Sequence, residues 1–418
     1  MSRLPDAPPL SRTGLRVLAG ILLAAVALQV AVRLAAGISL DTASYTSVYH
    51  ALTTQLLHVY SLVNGPLPGS PGLYQFQWPY LPGYFGWVLL AGLVVGPDGP
   101  LFDWVLKVPP VLAVLLTALV VQDFLGRLGS SQQRRLVAAA LVALGPMAVL
   151  VGYDGQIDGL AILPALAGVL HWTSTDSRRR AVVAGLLIGV GVLVKTVPVL
   201  AVLALLPSAR DTRERLALLG WTAGPAIAGL LPFLLADPGG VLALRHYAGV
   251  PGFGGPSLVI QPTLMRFWLA GTAVAPSQPT VWLALHGSQV TAGALLVLTG
   301  VMWRRRTDPA TAALMVWLTM FAFGPSTAPL YLCWGLPFLL TAGHLRWAAA
   351  AQLLVALPGA LLYTHLRIPH ATAVYVALMG VFWLTSAGAL AYLWWRLVSG
   401  GRGGYHPQRI GRPGVDTG

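Results

Sequence analysis

Asp41 stands at the start of a long polar-containing segment, Ser39 to Pro82, directly after the first apolar run of the chain. Tyr45, Tyr49, Tyr60, Tyr74, Trp78 and Tyr80 follow it. An acid just beyond an apolar helix, in a loop whose aromatic rings can sit at headgroup level, reads as a reactive group at a membrane surface. Two further groupings could do chemistry: Asp154-Gly155-Gln156-Ile157-Asp158 at the end of a later apolar run, and the cations Lys195, Arg245 and His246. A carboxylate can take a proton, and cations can hold an anionic group.

Composition says what must position these residues. The chain has 418 residues, of which 56% are hydrophobic and only 9% charged, and its mean hydropathy is +0.72. That is too little polar surface for a soluble globule. The Leu, Ala and Val runs approach 20 residues, the length a helix needs to cross roughly 30 Å of hydrocarbon, and no β-barrel alternation is present. The expected fold is therefore all-α, a polytopic transmembrane bundle. The sole cysteine, Cys333, lies in an apolar run, which excludes a disulfide framework and a Cys-based metal site.

A net charge of +13 could suggest nucleic acid, but the basic residues are placed otherwise. Most sit in short loops or tails beside apolar runs, as at Arg134-Arg135, Arg178 to Arg180, Arg213 and Arg215, and Arg304 to Arg306, and these mark the cytoplasmic side. Six of the 26 Lys and Arg residues stand apart: Arg33, Lys107, Lys195, Arg245, Arg266 and Arg367. Arg33 is expected to snorkel from its helix end. A lysine deep in the membrane is costly unless it is paired or hydrated, so Lys195 serves either a function or a structural ion pair.

The positive-inside pattern sets the crossings. Leu15 to Ile38 is the first span and an uncleaved anchor. Ser44 to Val63 repeats apolar residues at spacings of three and four, which predicts an amphipathic helix lying in the membrane interface. Asn64 to Gly72, rich in Gly and Pro, reads as a turn or loop. Pro79 to Gly96 must stay on the outer side as a juxtamembrane or re-entrant helix, because a full crossing would put the Arg127 to Arg135 loop outside. Spans at Leu101 to Leu125, Leu136 to Val151 and Gly159 to Trp172 follow. Ala181 to Leu206 lies between two basic loops, so it forms two short helices broken near Lys195 to Pro198. Leu216 to Leu235, an outer loop to about Pro279, Val281 to Trp303 and four further segments bring the C-terminus inside. The count is about 12 segments, two of them short, in one domain over residues 15–398. Tails at 1–14 and 399–418 flank it, the second expected to be disordered.

This arrangement resembles the GT-C class of glycosyltransferases. The resemblance rests on an acid just after the first span, an aromatic-Pro segment before the second and Gly155-Gln156-Ile157-Asp158 at the outer end of the third. It also rests on Lys195-Thr196-Val197-Pro198 between paired short helices and on Trp334-Gly335-Leu336-Pro337-Phe338 in a late helix. It covers residues 15 to 340. It implies an integral membrane, inverting hexosyltransferase that uses a polyprenyl-phosphate sugar, with mannose favoured, on the extracytoplasmic side. In the family's pattern the acid of the first loop is the catalytic base, which here is Asp41. The acceptor is a lipid, glycan or protein hydroxyl. No cofactor is implied; a divalent metal, to which this region contributes a ligand in the oligosaccharyltransferase branch of the class, is possible but not favoured, since the monophosphate-using branch is metal-free. The surrounding partners are membrane lipids, with no nucleic acid.

Such a transfer needs a base near the acceptor oxygen and cations beside the departing phosphate. The outer acids open to the first role are Asp41, Asp98, Asp103, Asp154, Asp158 and Asp237. Asp41 could instead cap the helix that follows it. Lys195, Arg245 and His246 are the phosphate candidates, and Tyr45, Trp78, Tyr80, Asp154, Gln156 and Asp158 the substrate-binding ones. A transporter or flippase of a lipid-linked or anionic substrate is the alternative, since broken helices around a mid-membrane lysine also suit anion carriers.

Overall fold

The computed structural model describes residues 4–39, 41–66, 74–177, 179–247, 251–272, 274–364 and 366–399. The expected disordered tail, from residue 400 onward, lies outside the described residues, as do Gly72, Arg178 and His365.

The first long helix, α1, spans Arg12–Ala36, with Ser11 as N-cap through its hydroxyl and Gly37 ending it at φ 76°. A short connector leads to α2 (Thr42–Gln55) and, after a tight turn at Leu56–His58, to α3 (Val59–Val63). Strands β1 (Asn64–Pro66) and β2 (Tyr74–Phe76) then pair antiparallel, Gly65 opposite Gln75. The segment read as an irregular turn thus begins as a strand. The Asn64 side chain decides this, because its amide donates to the Trp78 carbonyl and accepts from the Trp78 N–H, both at 3.0 Å.

A helix α4 (Phe85–Val95) follows and is too short to count among the membrane-crossing helices. The bundle proper continues with α5 (Pro100–Leu106), α6 (Val108–Arg127), α7 (Gln132–Ala143), α8 (Pro146–Asp154), α9 (Asp158–Ser174), α10 (Arg180–Val194) and α11 (Leu200–Leu205). The break at Lys195 to Pro198 falls where the proline predicts it, between α10 and α11. Next come α12 (Thr212–Ala236), the short helices α13 (Pro238–Ala243), α14 (Gly255–Ile260) and α15 (Met265–Ala270), and α16 (Gln278–Arg305). The chain closes with α17 (Pro309–Phe323), α18 (Leu332–Thr341), α19 (Leu345–Tyr363) and α20 (Ala371–Ser399).

Among the described residues, seven helical stretches are long and apolar enough to cross a membrane: α1, α5–α6, α7–α8, α12, α16, α19 and α20. Each of the remaining expected crossings has its helix, but α9, α17 and α18 are short as well as α10 and α11. Burial explains the difference for α17 and α18, most of whose residues are buried. A helix shielded from lipid need not match the bilayer thickness, and its ends can be irregular.

The helix directions separate the charges. Arg127, Arg134, Arg135, Arg180 and Arg213 lie at one set of helix ends; Asp41, Asp103, Asp154, Asp158, Lys195 and Asp237 lie at the other. At the basic end Arg180 is held by Glu214 through Nε (2.6 Å) and stacks on Trp172.

At the opposite end the first loop builds a core of its own. Tyr45, Val48, Leu52, Tyr60, Trp78, Tyr84 and Phe85 are buried together with Phe233 of α12. Tyr45 meets Trp78 edge-on at 5.5 Å and Trp78 stacks on Tyr84 at 6.5 Å, contacts worth roughly 0.5–1.5 kcal/mol each beyond their burial. Two expectations are corrected here. The apolar face of α2 packs on protein rather than on the membrane interface, and Tyr45, Tyr60 and Trp78 are core residues rather than headgroup anchors. The tight turn at Leu56–His58 also breaks the periodicity, leaving Leu56 51% exposed.

Candidate active site

Asp41 directly precedes α2, yet its carboxylate makes no capping bond. It accepts instead from the Gln156 side-chain amide, which also donates to Asp154 Oδ2 at 2.9 Å. Gln156 stands in the turn between α8 and α9, where Gly155 adopts φ 75°. That left-handed conformation suits glycine, and a Cβ there would lie 2.9 Å from Lys107 Cγ. Two more bonds fasten the first loop to this turn: Tyr45 donates its hydroxyl to the Gly155 carbonyl at 2.6 Å, and Ser39 donates to the Asp154 carbonyl at 3.3 Å. The convergence of Asp41 with the Asp154 to Asp158 element is thus a hydrogen-bonded fact of the fold.

Lys195 ends α10 in an extended conformation, is 3% exposed, and places Nζ 2.6 Å from Asp158 Oδ1. Trp334 donates its indole N–H to the same oxygen. The Tyr80, Trp334 and Tyr331 rings surround the ammonium at 4.4, 5.2 and 5.4 Å, an arrangement in which ring faces stabilise a desolvated cation. The 80–84 segment reaches it because Gly83 lets the backbone close on α10; a Cβ would stand 2.6 Å from the Leu193 carbonyl oxygen.

The expected residues therefore gather unevenly. Asp41, Asp154, Gln156, Asp158 and Lys195 form one polar cluster. Tyr80 is half-buried against Lys195, whereas Tyr45 and Trp78 are buried beneath and act as its walls. Arg245 is exposed in the segment between α13 and α14, and the His246 side chain lies outside the described residues. That segment reaches the cluster through Tyr247, whose side chain hydrogen-bonds Tyr331. Tyr331 was not anticipated, although it lies three residues before Trp334, one helical turn away.

The other acids have their own partners or lie apart. Asp103 is 1% exposed and paired with Arg33 and Lys107. Asp237 caps α13 through Gly240 N at 2.9 Å and accepts from Ser61 N at 3.2 Å. Asp98 is exposed at the α4–α5 turn, and Asp154 and Asp158 are fully buried. Asp41 alone in its cluster is half-buried and has no cation in salt-bridge contact among the described residues. Burial, then the nearby Asp154 charge, holds its carboxyl well above the usual carboxylate range, against the opposing pull of Lys195. Arg33 does not snorkel: it is 7% exposed, paired with Asp103 and stacked on Trp104. Among the described residues, no three His, Cys, Asp or Glu side chains are grouped to hold a metal ion.

This architecture can be set beside known proteins. Residues 88–327 match the sequence profile of glycosyltransferase family 87, a span that includes Asp103, Asp154 to Asp158 and Lys195 but neither Asp41 nor Trp334. No curated protein matches the chain. Among solved structures, the archaeal oligosaccharyltransferase AglB from Archaeoglobus fulgidus, in complex with an inhibitory peptide and a dolichol-phosphate, is similar at 14% identity and a TM-score of 0.41. The match covers 91% of this chain and 55% of that one, so the chain spans about half its length. The profile match extends over more than half of the sequence, and with the bundle of apolar helices it leads to one conclusion: the chain belongs to glycosyltransferase family 87 and is a multi-pass membrane glycosyltransferase.

Proposed function

We propose that this enzyme transfers a hexose, mannose in the first instance, from a polyprenyl-phosphate donor to a hydroxyl of a lipid, glycan or protein acceptor, with inversion at the anomeric carbon. Asp41 is the general base. The observation that carries this reading is the state of its carboxylate: released from capping, half-buried, held by Gln156, and at the helix ends opposite the basic loops. The placement of those loops supports an extracytoplasmic site.

In the reaction the acceptor oxygen attacks the anomeric carbon as Asp41 takes its proton, and the bond from that carbon to the phosphate oxygen breaks. The lipid phosphate leaves with the electron pair. An elevated pKa suits a base that must be ionised in the resting enzyme yet hold a proton in the transition state. Lys195 lies close enough to attract the growing phosphate charge once its bond to Asp158 yields, and Arg245 and His246 are the candidates to meet the phosphate from the outer loop. Asp154, Gln156 and Asp158 line the acceptor side, with Tyr80 beside the sugar. No divalent ion is required by this scheme. Family membership favours transfer over the carrier alternative.

The test is incubation of purified protein with polyprenyl-phosphate mannose, then other polyprenyl-phosphate sugars, with acceptor lipid extracts, following release of the lipid phosphate. Acceptor-dependent release that disappears in Asp41→Asn is expected. Turnover of nucleotide sugars with none of the lipid-linked ones would overturn the donor assignment.

A further inference from the structure

The connector that carries Asp41 is short, running from Gly37 at the end of α1 to Asp41 just before α2. Both of its ends are tied to one carboxylate. Arg33, in the last turn of α1, pairs with Asp103 Oδ2, and Thr42, the first residue of α2, donates its hydroxyl to Asp103 Oδ1. Lys107, one turn further along the chain at the end of α5, approaches the same Oδ1 at 2.6 Å. All four side chains are buried, none more than 7% exposed.

A buried carboxylate facing two cations is a specific arrangement. Each charge is costly to bury alone and tolerable only in company, so Asp103 holds its partners in a narrow geometry. The hydroxyl network extends further: Ser39 Oγ lies 3.2 Å from Thr42 Oγ1 and also donates to the Asp154 carbonyl. Asp103 thereby links the connector to the same turn that offers Gln156 to Asp41.

We propose that Asp103 is a positioning residue for the proposed base, acting through Thr42 and Arg33 to hold the turn that aims the Asp41 carboxylate at the acceptor, with Lys107 as its fixed counter-ion. This rests on the reading of Asp41 as base. A catalytic group must be held close to its productive geometry, and a misplacement near 1 Å can cost on the order of 10²-fold in rate. Thr42 is the link that can be cut without stranding a charge.

The experiment compares Thr42→Val, Thr42→Ser and Asp103→Asn with the parent enzyme. Thr42→Val is nearly isosteric but donates no hydrogen bond. It is expected to lower kcat by roughly 10- to 100-fold with donor KM little changed, and Thr42→Ser, which keeps the hydroxyl, to restore most of the rate. A second measurement needs no turnover. With Cys333→Ser and Asp41→Cys as background, an impermeant thiol reagent should label residue 41 several-fold faster or slower once Thr42→Val is added, and Thr42→Ser should reverse the change. Asp103→Asn leaves two cations without a charged partner and can fail to fold, so the Thr42 pair is the deciding comparison. If Thr42→Val retains both the parental kcat and the parental labelling rate while Asp41→Asn is inactive, the positioning role is overturned and the base assignment stands. If Asp41→Asn is active, the functional reading falls, and altered labelling in Thr42→Val would still show that the turn depends on the Thr42 hydroxyl that bonds Asp103.

Discussion

Gln156 donates one amide group to Asp41, just before α2, and to Asp154, the last residue of α8. One neutral donor shared by two carboxylates keeps them close without a cation between them.

Asp41→Asn should abolish transfer while leaving expression and donor binding intact. The asparagine keeps an acceptor oxygen for Gln156, so the geometry survives and only the proton acceptor is lost. Removing a general base typically costs 10²–10⁴-fold in rate. Single-turnover kinetics on the purified variant check this, and near-parental turnover would remove Asp41 from the mechanism.

The pH dependence follows from the raised Asp41 pKa. As the proposed base, Asp41 works only when ionised, so the rate should climb with pH through a midpoint above the usual carboxylate range. Asp154 is a like charge that raises this pKa, and Lys195 and Lys107 act in the opposite sense. Asp154→Asn takes away repulsion, lowers the Asp41 pKa and should move the acid limb of kcat to lower pH. A limb that stays in place or moves up contradicts the arrangement.

Lys195→Met should affect both stability and rate. It leaves Asp158 buried without its cation, and breaking a buried pair from one side costs about 3–5 kcal/mol. Adding Asp158→Asn removes the stranded charge, so the double variant should recover much of the thermal stability in detergent. The rate should not recover, because no ammonium remains to meet the phosphate. Recovery of both would make Lys195 purely structural.

The α4 helix offers a test of topology. Cysteines placed singly at Gln77 and Asp98 in a Cys333→Ser background flank α4, and both sites are exposed. Both should react with an impermeant thiol reagent applied from outside sealed cells. Labelling at only one of them would show that Pro79 to Gly96 crosses the bilayer.

Much of this protein was legible along the chain because lipid imposes a one-dimensional rule. A backbone in hydrocarbon must satisfy its hydrogen bonds within each helix, so apolar runs, prolines and arginine clusters locate the crossings and the break at Lys195 without knowledge of any neighbour. The same rule singled out Asp41, an acid where the first run ends. It could not tell that Arg33 turns inward or that the aromatic loop folds into its own core, since a tyrosine facing headgroups and one facing a tryptophan have the same local pattern. Partnership was decided only in three dimensions. Asp41 and Gln156 are 115 residues apart, and Trp334 and Asp158 are 176 apart. Such contacts depend on how helices pack and on which glycines let two backbones approach, as Gly155 and Gly83 do here. A buried charge then takes whichever opposite charge the packing delivers, because leaving it alone costs more than any local preference of its own helix.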